Sequence, residues 1–126
     1  MNAYQRFVLI DDNEADNVFH EIMIRRAGFQ GDIFTFETGP DALSYLRSDN
    51  ENTSTCIFLD INMPMMDGFE VAQAMSDLLN TKPWAILVML TSSGNPKDRE
   101  RALSIPTIKG YVTKPLDVQT ILTLIK

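Results

Sequence analysis

Short apolar segments alternate with longer amphipathic segments along the whole chain. Five of the apolar segments are rich in β-branched and aromatic residues and lack polar alternation, which is typical of strands covered on both faces. They comprise residues 7–10, 33–36, 56–59, 85–90 and 111–112. The second and fifth segments are less purely apolar, which favours positions at the edges of a sheet.

The segments between these predicted strands repeat apolar residues at the i, i+3, i+4 spacing of an amphipathic helix packed on a core. The spacing is most regular in three sets: Ala15, Val18, Phe19, Ile22 and Met23; Val71, Ala74, Met75, Leu78 and Leu79; Val118, Ile121, Leu122 and Ile125. Two further helices are predicted over residues 41–47, after Gly39 and Pro40, and over about 96–104, before Pro106.

Five strands in alternation with five helices predict parallel βαβ units with right-handed crossovers. The expected fold class is α/β: a doubly wound, five-stranded parallel sheet of strand order 2-1-3-4-5, flanked by helices on both faces. The 126 residues suffice for one domain with its own core, and the chain contains no repeat or linker. We therefore expect a single domain over residues 1–126.

Polar residues with useful chemistry follow four of the five predicted strands. Asp11 and Asp12 follow the first strand, and Asp60 follows the third. Thr91 follows the fourth strand and Lys114 the fifth. In doubly wound sheets the ligand site lies outside the carboxyl ends of the strands, and these four ends are adjacent in the expected strand order. The sequence therefore predicts that the five side chains share one pocket.

Three carboxylates in one pocket repel one another, by about 4 kcal/mol for a pair at ~4 Å and an effective dielectric constant near 20. Either a carboxyl pKa rises or a cation lies among them, and oxygen ligands with room for water suit Mg²⁺. Lys114 adds a positive charge opposite the acids, and Thr91 adds a hydroxyl. These are the groups that phosphoryl transfer requires, so Asp60 is predicted to be a nucleophile that forms an acyl phosphate.

Four segments resemble the signature sequences of response-regulator receiver domains, in the same order and over essentially the whole chain. They are VLIDD, FLDINMPMMDG, MLTS and GYVTKP, at residues 8–12, 58–68, 89–92 and 110–115. The resemblance implies that Asp60 is the phosphoacceptor. It also implies that Asp12 binds Mg²⁺ directly, that Asp11 acts mainly through water, and that the backbone carbonyl of Asn62 completes the protein ligands.

The resemblance further implies a switch built from Thr91 and Tyr111. Phosphorylation would draw Thr91 and the loop after the fourth strand inward, and Tyr111 would turn into the vacated space. Lys114 would contact a phosphoryl oxygen, and the peptide bond before Pro115 would be cis. The altered surface would comprise helix four, strand five and helix five. Tyr111 could alternatively be a simple packing residue.

The function that we expect from this resemblance is that of a phospho-accepting switch in a two-component phosphorelay, similar to the single-domain receivers of chemotaxis. The phosphodonor would be a sensor histidine kinase or a histidine phosphotransfer protein. Because the sequence ends with helix five, no output domain is expected, and the signal would pass by contact with a downstream protein. We expect no enzymatic activity beyond self-phosphorylation from a phosphodonor and autodephosphorylation.

Composition narrows the choice of partners. A formal net charge of −6 argues against direct binding to nucleic acid or to anionic membranes, since both require clustered Lys and Arg. The chain has no apolar stretch near ~20 residues and no secretory signal, so a cytoplasmic location is expected. Its one cysteine, Cys56, cannot form an internal disulfide and is expected to be a buried, inert thiol.

Three other functions are compatible with this kind of sheet. A phosphatase of the haloacid dehalogenase type would need a second acid two residues after the nucleophile, and that position is Asn62. An electron carrier of the flavodoxin type would need a hydroxyl- and glycine-rich loop after the first strand, where residues 11–14 are mostly acidic. A scaffold that retains the fold but is not phosphorylated remains open. Asp67, directly before Gly68, is predicted to cap helix three.

Overall fold

The computed structural model describes residues 4–63, 66–92 and 94–125, and strands alternate with helices throughout them. The elements are β1 (Arg6–Ile10), α1 (Glu14–Arg26), β2 (Asp32–Phe36), α2 (Gly39–Ser48), β3 (Thr55–Leu59), α3 (Gly68–Asn80), β4 (Ala85–Thr91), α4 (Pro96–Leu103), β5 (Ile108–Thr113) and α5 (Val118–Ile125). All strand pairs are parallel, in the order β2-β1-β3-β4-β5. The predicted fold class and strand order are confirmed.

The apolar character of the inner strands has a direct structural cause. Every residue of β1 and β3 is buried, because helices cover both faces of the sheet and successive side chains point to opposite faces. Val8 and Ile10 belong to the apolar cluster that includes residues of α2, α3 and α4, whereas Phe7 and Leu9 belong to the cluster that includes residues of α1 and α5. The edge strand β2 is largely exposed, as its mixed composition predicts.

Helix α1 does not place its apolar stripe against the core. Val18, Phe19 and Ile22 are 53%, 42% and 48% exposed, so the prediction of a core-facing stripe is wrong for these residues. The residues of α1 that are buried are Asn17, His20 and Ile24. The side-chain amide of Asn17 donates hydrogen bonds to the backbone carbonyls of Asp11 and Phe36, and these bonds fix the rotation of the helix.

Helix α3 follows the predicted pattern and begins at a complete capping box. Val71, Met75 and Leu79 are buried. The carboxylate of Asp67 accepts a hydrogen bond from the backbone amide of Glu70, and the Glu70 carboxylate accepts one from the backbone amide of Asp67. The predicted cap is therefore confirmed. None of the described helices has the length and apolar character needed to cross a membrane.

A buried guanidinium joins several elements at the amino ends of the strands. Arg6 donates hydrogen bonds to the Thr55 hydroxyl at 2.9 Å and to the Tyr45 hydroxyl at 2.8 Å. It also forms a salt bridge of 2.8 Å with Asp49, and both side chains are almost fully buried. The Lys82 ammonium donates to the backbone carbonyl of Asp49. The hydrogen bond from Arg6 lowers the pKa of the Asp49 carboxyl group.

We expect Asp49→Asn to lower the free energy of unfolding by about 3 kcal/mol at pH 7, because it leaves the buried Arg6 charge without its counterion. Since the Asp49 pKa is lowered in the fold, the contribution is present above the ordinary aspartate pKa. It is lost as pH falls through the lowered value. Urea denaturation at several pH values measures both effects. The exposed neighbour Glu51→Gln is the control, and equal stability of the two variants at pH 7 would refute the prediction.

Candidate functional site

Backbone pairing brings the first and third strand ends together. Ile10 and Leu59 are register partners, and the Asp60 backbone amide donates to the Ile10 carbonyl just beyond them. The Asp11 amide donates to the carbonyl of Phe36 at the end of β2. Asp11 and Asp60 are therefore held side by side at the carboxyl edge of the sheet by main-chain hydrogen bonds, independently of their side chains.

The carboxylates of Asp11, Asp12 and Asp60 form one cluster. Each offers an oxygen atom, and these oxygens all lie within 4.8 Å of one another. Asp11 and Asp60 are only 4% and 5% exposed, whereas Asp12 is exposed. Oδ1 of Asp60 is buried without a hydrogen-bond partner among the described residues. A buried acceptor without a donor is costly, and a divalent cation at this oxygen-rich position would satisfy it, so the residues fit Mg²⁺.

The electrostatic environment of the Asp60 carboxylate also favours a bound cation. Burial raises the pKa of the Asp60 carboxyl group, and the nearby negative charge of Asp11 raises it further. The ammonium of Lys114, the backbone amide of Ile61 and the hydroxyl of Thr91 act in the opposite direction without cancelling the rise. The protein alone therefore provides too little positive charge for the Asp60 carboxylate, and a bound cation would supply the remainder.

Lys114 is held by two acids at the edge of this cluster. Its ammonium donates to Asp11 at 2.5 Å and to Asp16 at 2.8 Å, and it lies 3.7 Å from Oδ2 of Asp60. Burial alone would lower the pKa of Lys114, but the hydrogen bonds to Asp11 and Asp16 outweigh this effect and raise it to about 12. The peptide bond between Lys114 and Pro115 is cis, as the resemblance implied.

The remaining residues singled out from the sequence surround this centre. Thr91 is fully buried, and its backbone carbonyl accepts a hydrogen bond from the amide of Lys114 at 2.8 Å. Tyr111 is partly buried against the apolar cluster beneath α3, and the guanidinium of Arg99 lies 5.9 Å from the centre of its ring. Asn62 is exposed, two residues after Asp60.

Asp16 is a site residue that was not predicted from the sequence. The predicted site comprised only residues directly after the strands, whereas Asp16 lies in the first turn of α1. That helix begins at the same edge of the sheet, because Asn13 caps it two residues after Asp11. An acid within the first helical turn after the Asp11-Asp12 pair is the signal that could have identified it.

Gly68 also contributes to the site through its lack of a side chain. A Cβ atom at this position would lie 2.2 Å from the backbone oxygen of Asp60 and 2.8 Å from Cα of Ile61. The Gly68 amide donates to the Ile61 carbonyl at 2.8 Å. The first residue of α3 is therefore seated directly on the peptide unit that carries Asp60.

Comparisons with known proteins agree with this geometry. The model of the response regulator receiver domain family matches residues 7–126, and the chain therefore belongs to this family. It is 32% identical over 117 residues to a probable methanogenesis regulatory protein, FilR2, of Methanothrix harundinacea, covering 89% of this chain and 73% of the relative. It is 33% identical over 119 residues to the heme response regulator HssR of Staphylococcus epidermidis, covering 94% of this chain but only 49% of the relative.

Solved structures give the same result. A two-component response regulator from Cytophaga hutchinsonii has a TM-score of 0.84 and 28% identity, covering 96% of this chain and 93% of that one. A response regulator receiver protein from Dyadobacter fermentans has a TM-score of 0.80 and 26% identity, covering 94% and 93%. The resemblance drawn from the four sequence segments is confirmed: the chain is a receiver domain of the kind used for phosphoacceptor signalling in two-component systems. Receiver domains generally bind Mg²⁺ through acidic residues and interact with histidine kinases and downstream targets.

We expect Asp60→Asn to raise the thermal unfolding temperature in metal-free buffer at pH 7. The raised pKa of Asp60 means that its charged form is disfavoured in the fold, so removing the charge is stabilising above the ordinary aspartate pKa. Below that pH the carboxyl is protonated in both states and the difference disappears. Mg²⁺ at a hundred times its Kd should stabilise the wild type by about 2.7 kcal/mol and the variant less.

Differential scanning calorimetry with and without MgCl₂ measures both parts of this prediction. Asp77→Asn, which removes an exposed acid of α3, is the matched control and should behave like the wild type. An equal response of the wild type and Asp60→Asn to Mg²⁺ would exclude Asp60 from the metal site.

We expect Asp16→Asn to move the pKa of Lys114 from about 12 toward the ordinary lysine value of ~10.4, because one of its two carboxylate partners is lost. A carbon-detected NMR titration of the Lys114 side chain measures this change. The control is Glu14→Gln, which removes an acid from the same helical turn. Within the described part of the chain, Glu14 makes no salt bridge with Lys114. A titration of Lys114 that is identical in both variants would contradict the role given to Asp16.

Proposed function

We propose that Asp60 accepts a phosphoryl group from the phosphohistidine of a sensor histidine kinase or a histidine phosphotransfer protein. Mg²⁺ would be held by the carboxylates of Asp11, Asp12 and Asp60 and by the backbone carbonyl of Asn62. The observation that carries this proposal is the state of the Asp60 carboxylate. Its Oδ1 is buried and has no hydrogen-bond partner among the residues that the structure describes, and one of its oxygens lies within 4.8 Å of oxygens from two other acids. A structural aspartate would be expected to have its acceptors satisfied.

The proposed transfer begins with attack of an Asp60 carboxylate oxygen on phosphorus. An O–P bond forms while the P–N bond to the donor imidazole breaks, and the electron pair of that bond returns to the imidazole nitrogen. When bound, Mg²⁺ neutralises negative charge on the oxygens of the transferring group. The protein positions the nucleophile through the backbone of β3, so little reorganisation is needed at the moment of reaction.

Lys114 and Thr91 would stabilise the phosphoryl group once it is attached. The Lys114 ammonium is only 3.7 Å from Asp60, so a small rotation away from Asp16 would bring it to a phosphoryl oxygen. The Thr91 hydroxyl, which already interacts with the Asp60 carboxylate, would donate to another oxygen. Lys114 would thus exchange one carboxylate partner for a more highly charged acceptor.

The signal would spread through the main-chain bond between Lys114 and Thr91. A displacement of Thr91 toward the phosphoryl group moves the ends of β4 and β5 together, because their backbones are joined there. Tyr111 would then turn inward and leave the guanidinium of Arg99, which lies on α4. The face formed by α4, β5 and α5 would change shape and contact the downstream protein. Phosphorylation would shift a pre-existing equilibrium between two conformations.

We further propose that residues 1–126 act as one receiver unit that signals by protein contact, without direct binding to nucleic acid and without turnover of a separate substrate. The excess of 17 acidic over 11 basic residues supports the first exclusion. Asn62 at the position where a phosphatase of similar sheet architecture needs an acid supports the second.

Intact-mass analysis after incubation with acetyl phosphate and MgCl₂ tests the proposal. The wild type should gain about 80 Da, one phosphoryl group, and a chelator should abolish the gain. Asp60→Ala should not be labelled, whereas the surface control Asp77→Asn should be labelled like the wild type.

Two outcomes would overturn the assignment. Labelling of Asp60→Ala to the same extent as the wild type would place the acceptor at another residue. A folded wild type that binds Mg²⁺ but is not labelled would favour a scaffold that retains the receiver fold without phosphorylation.

A further inference from the structure

A groove between α1 and the edge strand β2 is lined by apolar residues, here called its floor, and by acidic residues, here called its rim. Its volume is about 380 Å³. Val18, Ile22 and Phe36 form the floor. The acids along the rim are Glu14, Glu21, Glu37 and Asp41.

The floor is apolar surface that the fold leaves uncovered. Val18 and Ile22 are adjacent on one face of α1 because they are four residues apart, and each is about half exposed. Phe36 is partly buried and held in place by the ring of Tyr45, 5.2 Å away between centroids. Single exposed apolar residues are ordinary, but a contiguous apolar patch with a polar rim is typical of an interaction site.

The rim carries only negative charge. No Lys or Arg lines the groove, and none of its four acids forms a salt bridge within the described part of the chain. Like charges around an apolar surface repel one another, and the repulsion is relieved when a cationic ligand binds. The same charge disfavours anionic lipid headgroups and nucleic acids as occupants.

We propose that this groove binds a cationic amphipathic helix of a partner protein. Apolar side chains of that helix would pack on Val18, Ile22 and Phe36, and its Lys or Arg side chains would pair with the acids of the rim. A helix seated in an apolar groove is a common mode of protein recognition, in which residues at i, i+3 or i+4 act as anchors. Complementary charge would select the partner and accelerate association.

This surface is separate from the proposed output face. It lies at the β2 edge of the sheet, whereas β5 forms the opposite edge. It borders the phosphoacceptor site through Asn17, whose amide bonds the carbonyls of both Phe36 and Asp11. A partner bound in the groove would therefore contact the segment that positions Asp11, and its binding does not require a phosphorylated Asp60.

A synthetic helical peptide of Leu and Lys, labelled with fluorescein, is a suitable probe, and the same peptide with Glu in place of Lys is its control. Fluorescence anisotropy should show that the wild type binds the Lys peptide and does not bind the Glu peptide. Glu21→Gln combined with Glu37→Gln should weaken binding about fivefold, because two exposed ion pairs are lost. Added salt should weaken wild-type binding as well.

A second pair of charge-removing substitutions distinguishes binding in the groove from general attraction of the cationic peptide to a negatively charged protein. Asp77→Asn combined with Glu100→Gln removes the same charge from exposed positions on α3 and α4, and it should change affinity by less than about twofold. Val18→Ser combined with Ile22→Ser should weaken binding, whereas Leu103→Ser, at an exposed apolar position on α4, should not. Urea denaturation verifies that each variant is folded.

Two-dimensional NMR locates the bound peptide, and shifts confined to α1, β2 and the start of α2 are expected. Three results would overturn the proposal. They are equal weakening of peptide binding by both pairs of charge-removing substitutions, chemical-shift changes centred on α4 and β5, and no binding of the Lys peptide. Self-association of the wild type that Val18→Ser with Ile22→Ser abolishes, without binding of the Lys peptide, would assign the groove to a second copy of this chain and overturn the proposal. Labelling by acetyl phosphate should be unchanged in Glu21→Gln with Glu37→Gln, so failure of this proposal is distinguishable from failure of the proposed function.

Discussion

Repulsion among Asp11, Asp12 and Asp60 is the interaction around which the carboxyl edge of the sheet is organised. The parallel pairing of β1 with β3 forces two of these acids together, whatever their charge. Lys114 offsets part of the repulsion, and the backbone amide of Asn13 donates a hydrogen bond to the Asp11 carboxylate. The compensation is incomplete at Asp60, whose carboxyl pKa stays raised by burial and by the charge of Asp11. A cation bound there would offset that remaining imbalance.

Buried charged groups are in contrasting environments at the two ends of the sheet. At the amino ends of the strands, Arg6 and Asp49 are paired and hydrogen-bonded, and Lys82 joins them to the start of β4. At the carboxyl ends, Oδ1 of Asp60 has no hydrogen-bond partner among the described residues. The ion pair at the amino ends is fully hydrogen-bonded, whereas a buried carboxylate oxygen at the carboxyl ends is left without a donor, where a ligand could supply the missing charge.

Most of the fold and the centre of the site could be predicted from the sequence, because buried parallel strands are nearly continuous apolar segments and their ends are easily located. The orientation of α1 could not be predicted. Helical periodicity shows that Val18 and Ile22 share a face, but the hydrogen bonds of Asn17 decide which face is turned inward. Asp16 was missed because it lies in the first turn of α1, whereas the predicted site comprised only residues that directly follow the strands. The roles proposed for Thr91, Tyr111 and Asn62 remain predictions.

The position of Gly68 constrains the size of the side chain at this point of the chain rather than its charge. Because α3 begins on the peptide unit that follows Asp60, even a methyl group at this position would have to push the helix and the backbone of Asp60 apart. A chemically inert substitution can therefore misalign the acid without altering any ionisable group. The proposed acceptance of a phosphoryl group by Asp60 would thus depend on the missing side chain of Gly68 as well as on the acids themselves.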